Sequence, residues 1–185
     1  MTIWVALLRG VNVGGHNKVP MAELRAALGD AGLGEVTTYI ASGNLVLAAD
    51  DDPADAIAAV IADRFGLDLA VVTRTTDQLR TAAGANPFAE LAAEQPKAVH
   101  CFFTSTPVTP GALDGFDGER YAPDRLEVAV GEVFAAYPAG MARSKLTNAV
   151  VDRVAGGPTT ARNWNTVAKL VELATERQGS PATGG

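Results

Sequence analysis

The sequence predicts an α+β fold built of two sheet-and-helix halves, the first of them ferredoxin-like, with a split βαβ order. The apolar run from Ile3 to Leu8 is too short for an ordinary helix and is typical of a central strand buried on both faces. Up to residue 73 the pattern gives strand, helix, strand, strand, helix, strand, the split βαβ order. The second half shows elements in a related order, so we expect a structural duplication.

Helical stripes and turn residues set the elements of the first half. Pro20 occupies the favoured first-turn position of the first helix, and Asp52 is a suitable N-cap for the second. After the first strand, these signals predict a helix at 21–31, an edge strand at 36–41, a strand at 45–48, a helix at 53–65 and a strand at 69–73. Thr75 and Gln78 form a capping box for a short helix that bridges the halves.

The second half is predicted to begin with a buried strand at 98–103. A hairpin at 126–137 follows, with Gly131 suited to the first position of a type II′ turn. Apolar stripes from Leu146 and from Trp164 predict two closing helices, for which Ser144 and Thr160 are candidate N-caps. We therefore expect a ferredoxin-like domain at 1–84, an α+β domain at 85–178 that ends in a long helix, and a flexible tail at 179–185.

Composition narrows the classes of function. The 185 residues are 48% hydrophobic, which is enough for a packed core. The single Cys101 excludes an intramolecular disulfide and a cysteine-based zinc site, and the sequence predicts neither a metal nor a cofactor. The sequence shows no basic leader and no apolar run of roughly 20 residues, so we expect a cytoplasmic protein without membrane contact. The net charge of -6 disfavours binding of nucleic acid through overall charge.

The first candidate site is the polar connection 9–18 between the first strand and the first helix. Its candidate ligand groups are Arg9, Asn12, Gly14, Gly15 and Lys18. Such a junction presents backbone N–H groups and the positive end of a helix dipole, which favour an anion. Gly10 and Gly15 have P-loop spacing, but His16 and Asn17 replace the Lys-Ser/Thr pair, which argues against a nucleoside triphosphatase. A plain polar connection with glycines for turns is the alternative.

The second candidate is the turn formed by Ser42, Gly43 and Asn44. In a split βαβ sheet this hairpin lies at the same end as the first strand's exit and the first helix's start. We therefore expect the turn to face Arg9 and Asn12. Ordinary turn chemistry explains the same three residues, so that interpretation stays open.

Further candidates lie in the second half. Lys145, Arg162, Asn163 and Asn165 are predicted ligand groups, with helix capping as the alternative. His16 is a candidate acid or base, although no carboxylate is placed to orient it. His100 lies in an apolar strand, where a hydrogen-bonded histidine at a sheet contact is the favoured interpretation.

Five segments together resemble a bacterial family, the domain of unknown function 1697. They are Ala6 to Gly15, Tyr39 to Asn44, Asn86 to Phe88, Ser144 to Leu146 and Thr160 to Thr166. The resemblance spans nearly the whole chain and implies a two-part α+β fold. It implies no activity. Its segments coincide with the polar junctions described above.

These observations lead to three hypotheses of function. We expect a binding protein that holds a phosphate-bearing small molecule, a nucleotide or a nucleic-acid end in a cleft between the subdomains. The alternative is a hydrolase or transferase acting on a phosphorylated substrate, with His16 as acid or base. The second alternative is a structural or protein-interaction module. The sequence does not define the oligomeric state.

Overall fold

The computed structural model describes residues 1–179 and divides into two compact units. The first unit comprises Met1–Leu79 together with the described residues from Leu170 onward, and the second comprises Arg80–Lys169. None of the helices within residues 1–179 has the length and apolar character needed to cross a membrane. Each unit contains its own four-stranded sheet.

The first unit has the predicted split βαβ order. Its elements are β1 (Thr2–Leu8), α1 (Met21–Asp30), β2 (Thr37–Tyr39), β3 (Asn44–Ala49), α2 (Ala54–Phe65) and β4 (Val71–Thr75). The strand order is β2-β3-β1-β4, and every neighbouring pair is antiparallel. The prediction of a ferredoxin-like first half with an internal first strand is therefore confirmed.

Apolar side chains at alternate strand positions and on one stripe of each helix build the core of the first unit. The helices α1 and α2 pack on one face of the sheet, where burial of each large apolar side chain contributes about 1.5–3 kcal/mol. The central residues of this core are Ala6, Leu8, Leu24, Leu28, Leu45, Leu47, Ile57 and Ile61.

The helix α6 (Trp164–Gly179) begins in the second unit and ends in the first. Near its end, Arg177 donates to the backbone oxygen of Glu35 at 2.5 Å and to the Thr37 hydroxyl at 3.3 Å. Thr37 is the first residue of the edge strand β2. The C-terminal half of α6 thus holds an edge of the first sheet.

The second unit repeats the strand order of the first. Its remaining elements are α3 (Thr76–Gly84, which starts in the first unit), α4 (Ala89–Glu94), β5 (Val99–Thr104), β6 (Arg125–Ala129), β7 (Glu132–Ala136), α5 (Asn148–Ala155) and β8 (Thr159–Asn163). The sheet order is β6-β7-β5-β8, again with antiparallel neighbours. Two 3₁₀ helices, Pro110–Leu113 and Gly118–Tyr121, occupy the connection where the first unit has α1. The predicted relation between the halves is confirmed.

Two local predictions in the second unit are wrong. Thr160 does not cap a helix, because it lies inside β8, where it pairs with Phe103. Ser144 does not cap α5 either, since the N-cap residue of that helix is Thr147. The Ser144 hydroxyl instead accepts from the Leu146 amide at 2.8 Å and donates to Asp124 at 2.5 Å.

The hairpin between β6 and β7 has a different turn from the predicted type II′. Val130 and Gly131 form the two-residue turn, with φ of 46° and 82°. Two positive φ values define type I′, whose twist matches that of antiparallel strands. Turn preferences do not predict a valine in this conformation.

The predicted domain bounds, 1–84 and 85–178, stay predictions. The flexible tail predicted for 179–185 lies outside the described residues except for Gly179, which ends α6.

Candidate functional site

Two loops of the first unit meet at one end of its sheet. They are the β1–α1 loop, residues 9–20, and the β2–β3 loop, residues 40–43. The Leu8 amide donates to the Gly43 oxygen at 2.8 Å, and Leu7 pairs with Asn44 in the sheet. The split βαβ topology therefore brings together the loops that carry the first two candidate groups of residues.

Asn12 joins the two loops. Its side-chain amide donates to the Val19 oxygen at 3.0 Å and to the Ala41 oxygen at 2.7 Å, and its side-chain oxygen accepts from the Val19 amide at 2.9 Å. These bonds use both amide hydrogens, and φ at Asn12 is 54°. Asn12 therefore holds the β1–α1 loop in shape.

Gly43 and Asn44 also serve the packing of the hairpin. A Cβ at Gly43 would lie 2.5 Å from Cγ2 of Val11 and 2.7 Å from Cβ of Leu8. The fully buried Asn44 side chain donates to the Tyr39 oxygen at 2.8 Å and to the Ser42 hydroxyl at 3.1 Å. Only glycine fits at position 43, and Asn44 supplies a donor that closes the loop.

The groups left for a ligand lie in the β1–α1 loop itself. The backbone amides of Gly14, Gly15 and Lys18 have no hydrogen-bond partner within residues 1–179. The side chains of His16 and Lys18 are exposed, and neither is held by a hydrogen bond or ion pair from the part of the chain that the structure describes. Arg9 is half-buried, and its amide donates to the Ala70 oxygen at 3.0 Å.

A surface cavity of about 480 Å³ opens beside these groups. It is lined by Asn12, Gly15, Lys18, Val19, Pro20, Met21 and Ala41. Both joined loops and the start of α1 contribute to its wall. The cavity falls within the size range of small-molecule sites.

A larger cavity of about 660 Å³ lies between α1 and α2. Its charged lining residues are Glu23, Asp30, Asp63 and Arg64, and Arg64 is 3.9 Å from Glu23. The three carboxylates outnumber the single cation, so this cavity disfavours an anionic ligand.

Two of the four predicted ligand residues of the second unit, Arg162 and Asn163, make local hydrogen bonds. The Asn163 side chain caps α6, because its oxygen accepts from the Thr166 amide at 3.1 Å and from the Thr166 hydroxyl at 3.2 Å. Arg162 is buried in β8, and among its bonds is one to the Ala161 oxygen at 2.8 Å. Burial lowers the pKa of Arg162 to about 10, so the guanidinium stays charged at neutral pH. Lys145 and Asn165 are exposed.

The second unit also contains a half-buried histidine, His100, that we expected to be hydrogen-bonded. The Nδ1 atom of His100 is buried without a hydrogen-bond partner among the described residues, so that expectation is wrong. The imidazole packs edge-on against the Tyr137 ring at 5.3 Å, and burial lowers the pKa of His100 to about 4. Burial also raises the pKa of Tyr137, and the carboxylate of Asp124 adds to that rise. His100 is therefore neutral at physiological pH.

The fold and these loops define a two-unit α+β protein with a basic loop at one end of its first sheet. The chain belongs to the family described as protein of unknown function (DUF1697), whose model matches residues 1–134. The matched part includes the whole β1–α1 loop and β2–β3 loop, whereas Lys145, Arg162, Asn163 and Asn165 lie beyond it. None of the curated proteins compared with the chain matches it.

The fold is similar to that of conserved bacterial protein SP0830 from Streptococcus pneumoniae. The identity is 21%, the TM-score is 0.64, and the similarity covers 95% of this chain and 99% of that one. At this identity the similarity shows a shared fold alone.

Proposed function

We propose that the chain binds a small phosphate-bearing anion at the β1–α1 loop of the first unit. The observation that carries this proposal is the charge of the loop. Residues 9–20 contain Arg9, His16 and Lys18 and no carboxylate, in a chain whose net charge is -6. A cationic loop in an acidic protein is a local preference for an anion.

Backbone donors support the same ligand chemistry. The unpartnered amides of Gly14, Gly15 and Lys18 are available to an anion, and nothing lies within 4 Å of a Cβ built at Gly15. A phosphate oxygen can therefore approach the backbone closely at this point. Hydrogen bonds from amides to an ionised acceptor are stronger than those between neutral groups.

The start of α1 adds to this potential. The N-cap residue Pro20 makes no side-chain capping bond, so the amides of the first turn are left for water or a ligand. The positive end of the helix dipole favours an anion at this point. Glu23 lies in the first turn, and Arg64, 3.9 Å away, offsets part of its charge.

The three side-chain hydrogen bonds that Asn12 makes with Val19 and Ala41 are called the Asn12 clamp below. This clamp supports binding because it holds the β1–α1 loop in one conformation before a ligand arrives. A preorganised loop loses less conformational entropy on binding. Asn12, Ser42, Gly43 and Asn44 thus position the loop. The predicted ligand roles of Lys145, Arg162, Asn163 and Asn165, and the predicted cleft, stay predictions.

The proposal is tested by titrating the full chain with inorganic phosphate and ribose 5-phosphate at low ionic strength. Amide chemical shifts and calorimetry would report binding. We expect the amides of Gly14, Gly15 and Lys18 to shift, and Lys18→Ala to weaken the affinity about tenfold through loss of a charged partner. Added salt should weaken binding, because the cations involved are exposed.

Lys97→Ala is the matched control. Lys97 is also exposed, but it lies in the short 3₁₀ helix Pro96–Ala98 of the second unit. Both variants lower the total positive charge by one. An equal loss of affinity in the two variants, or unchanged loop amides at saturating phosphate, would overturn the proposal.

A further inference from the structure

Apolar side chains form most of the wall of the 480 Å³ cavity. Asn12 lines the cavity, but its amide is already bonded to Val19 and Ala41. Lys18 is therefore the lining side chain that offers a charged donor. The other lining side chains are carbon-rich: Val19, Pro20, Met21 and Ala41.

Two exposed hydrophobic residues are sequence neighbours of residues that line this cavity. Within the described chain, the large hydrophobic residues that are exposed are Met1, Val13, Ile40 and Val130. Val13 is 62% exposed and follows Asn12, whereas Ile40 is 49% exposed and precedes Ala41. Two of the four thus flank residues of the cavity wall. Exposed apolar groups that cluster around a concave surface indicate a binding site.

We propose that the ligand is a small phosphomonoester with a flat apolar body, such as a nucleoside 5′-monophosphate. The inference rests on the proposed function, because the phosphate would occupy the same β1–α1 loop. The amides of Gly14 and Gly15 and the ammonium of Lys18 receive the phosphate. The base lies against Met21 and Ile40.

The charge and volume of the site favour a single nucleotide over a polymer. The β1–α1 loop carries two permanent cations, Arg9 and Lys18, which suits one phosphate group. A strand with many phosphates would meet the overall charge of -6. The cavity has the volume of a small-molecule site, whereas a long acyl chain needs an extended groove.

The backbone conformation of Ile40 does not set it apart from Val130. Its φ is 50°, an unfavourable value for a β-branched residue, but Val130 in the second unit has a φ of 46° and 56% exposure. What distinguishes Ile40 is that it directly precedes Ala41, a lining residue of the cavity. Val130 is therefore a matched control for substitution of Ile40.

The experiment compares four ligands on the full chain by calorimetry: inorganic phosphate, ribose 5-phosphate, adenosine and adenosine 5′-monophosphate. We expect the monophosphate to bind roughly tenfold more tightly than ribose 5-phosphate, since the base buries apolar surface. A 5′-phosphorylated tetranucleotide distinguishes a free nucleotide from a strand end. Weaker binding of the tetranucleotide than of the monophosphate supports a free nucleotide as the ligand. Equal or tighter binding of the tetranucleotide would overturn the assignment to a free nucleotide.

Two substitutions test the position of the base. Ile40→Asn should bring the affinity ratio of the two phosphate esters close to one and leave ribose 5-phosphate binding unchanged. Val130→Asn should leave the ratio unchanged. Asparagine accepts positive φ, so both variants should stay folded. Ala41→Phe adds a ring at the cavity wall and should weaken binding of the nucleotide about tenfold.

The outcomes separate this inference from the proposed function. Equal affinity for ribose 5-phosphate and the nucleotide would overturn the inference alone, as would the same effect of Ile40→Asn and Val130→Asn. Failure of both phosphate and ribose 5-phosphate to shift the loop amides would overturn the proposed function. Adenosine binding as tightly as its monophosphate would also count against the phosphate site.

Discussion

The segment between the central strand and the next helix differs in charge between the two units. Residues 9–20, ahead of α1, contain two permanent cations and no carboxylate, whereas residues 105–109, ahead of the first 3₁₀ helix of the second unit, contain no charged residue. Both connections leave the central strand of a sheet with the same strand order. The strand order therefore does not require positive charge in the first unit, which favours a role for that charge in binding.

The hairpins of the two units, by contrast, share a structural contact. In the first unit the Gly43 oxygen accepts the amide of Leu8, the last residue of the central strand, at 2.8 Å. In the second unit the Gly131 oxygen accepts the amide of Val108, which lies just after the central strand, at 2.9 Å. A Cβ on Gly43 would clash with Leu8 and Val11, and a Cβ on Gly131 would clash with Pro107. Because both units have it, we interpret this contact as a requirement of the fold rather than of function.

Substitution of the two hairpin glycines would test that interpretation, and Gly43→Ala should have the largest effect. Its Cβ would lie 2.5 Å from Val11 and 2.7 Å from Leu8, and φ is 80°. We expect a loss of about 3–4 kcal/mol in the free energy of unfolding in urea, from overpacking and positive φ together. Gly131→Ala, with its nearest contact at 2.9 Å to Pro107, should lose about 2 kcal/mol.

Gly66→Ala, measured by the same urea unfolding, separates the cost of steric contact from the cost of positive φ. Gly66 ends α2 with a φ of 66°, and a Cβ at this position would have no neighbour within 4 Å. This variant should lose only about 1 kcal/mol, from the backbone conformation alone. A loss as large as that of Gly43→Ala would show that steric contact is not the cause.

Acid should destabilise the protein through the second unit. The strand β1 has no titratable side chain, whereas β5 contains His100, whose pKa falls from 6.5 to about 4 on burial. Between these values the unfolded chain binds a proton that the folded chain does not, so stability falls as pH falls. The loss summed over this window is about 3 kcal/mol from this residue.

To check this, the free energy of unfolding is measured at several pH values between 7 and 4, in the natural chain and in His100→Phe. Phenylalanine keeps a ring beside Tyr137 and removes the titration. The variant should lose less stability than the natural chain over the window. Parallel curves for the two proteins would contradict the assignment to His100.

Loss of the Asn12 side-chain bonds should have a smaller effect than Gly43→Ala or the acid-induced loss at His100. Asn12→Ala removes three hydrogen bonds and should cost about 2 kcal/mol. Asn17→Ala is a suitable control, since Asn17 also has positive φ but its side chain donates to the Gly10 oxygen, at 3.1 Å, within the same loop. It should cost about 1 kcal/mol. Equal losses would mean that the bonds to Val19 and Ala41 add nothing.

Much of the fold could be predicted because most strands and helices carry their own pattern. The run from Ile3 to Leu8 and the stripe of α2 are apolar at the spacing that burial demands. The strand β8 lacks such a pattern, since its sequence is Thr-Thr-Ala-Arg-Asn. Pairing with β5 defines it as a strand, and that partner lies more than fifty residues earlier.

The location of the candidate site could be predicted from the sequence, but the roles of its residues could be predicted less well. Topology brings the β1–α1 and β2–β3 loops together, as expected. Nothing local to Asn12 indicates its bond to Ala41, 29 residues away, so the sequence pattern suggests a ligand group where the structure has a clamp. Likewise, the neighbours of Gly43 are set by long-range packing. Roles that depend on such distant contacts are not visible in local sequence.

The position of Arg177 has a consequence for folding during synthesis. Arg177 is made 140 residues after Thr37, the β2 residue whose hydroxyl accepts its hydrogen bond. On the ribosome, the first sheet can therefore form its core early but must wait for this contact until nearly all of these residues have emerged. During that interval the start of β2 is an incompletely protected edge, where a nascent chain is exposed to pairing with another strand.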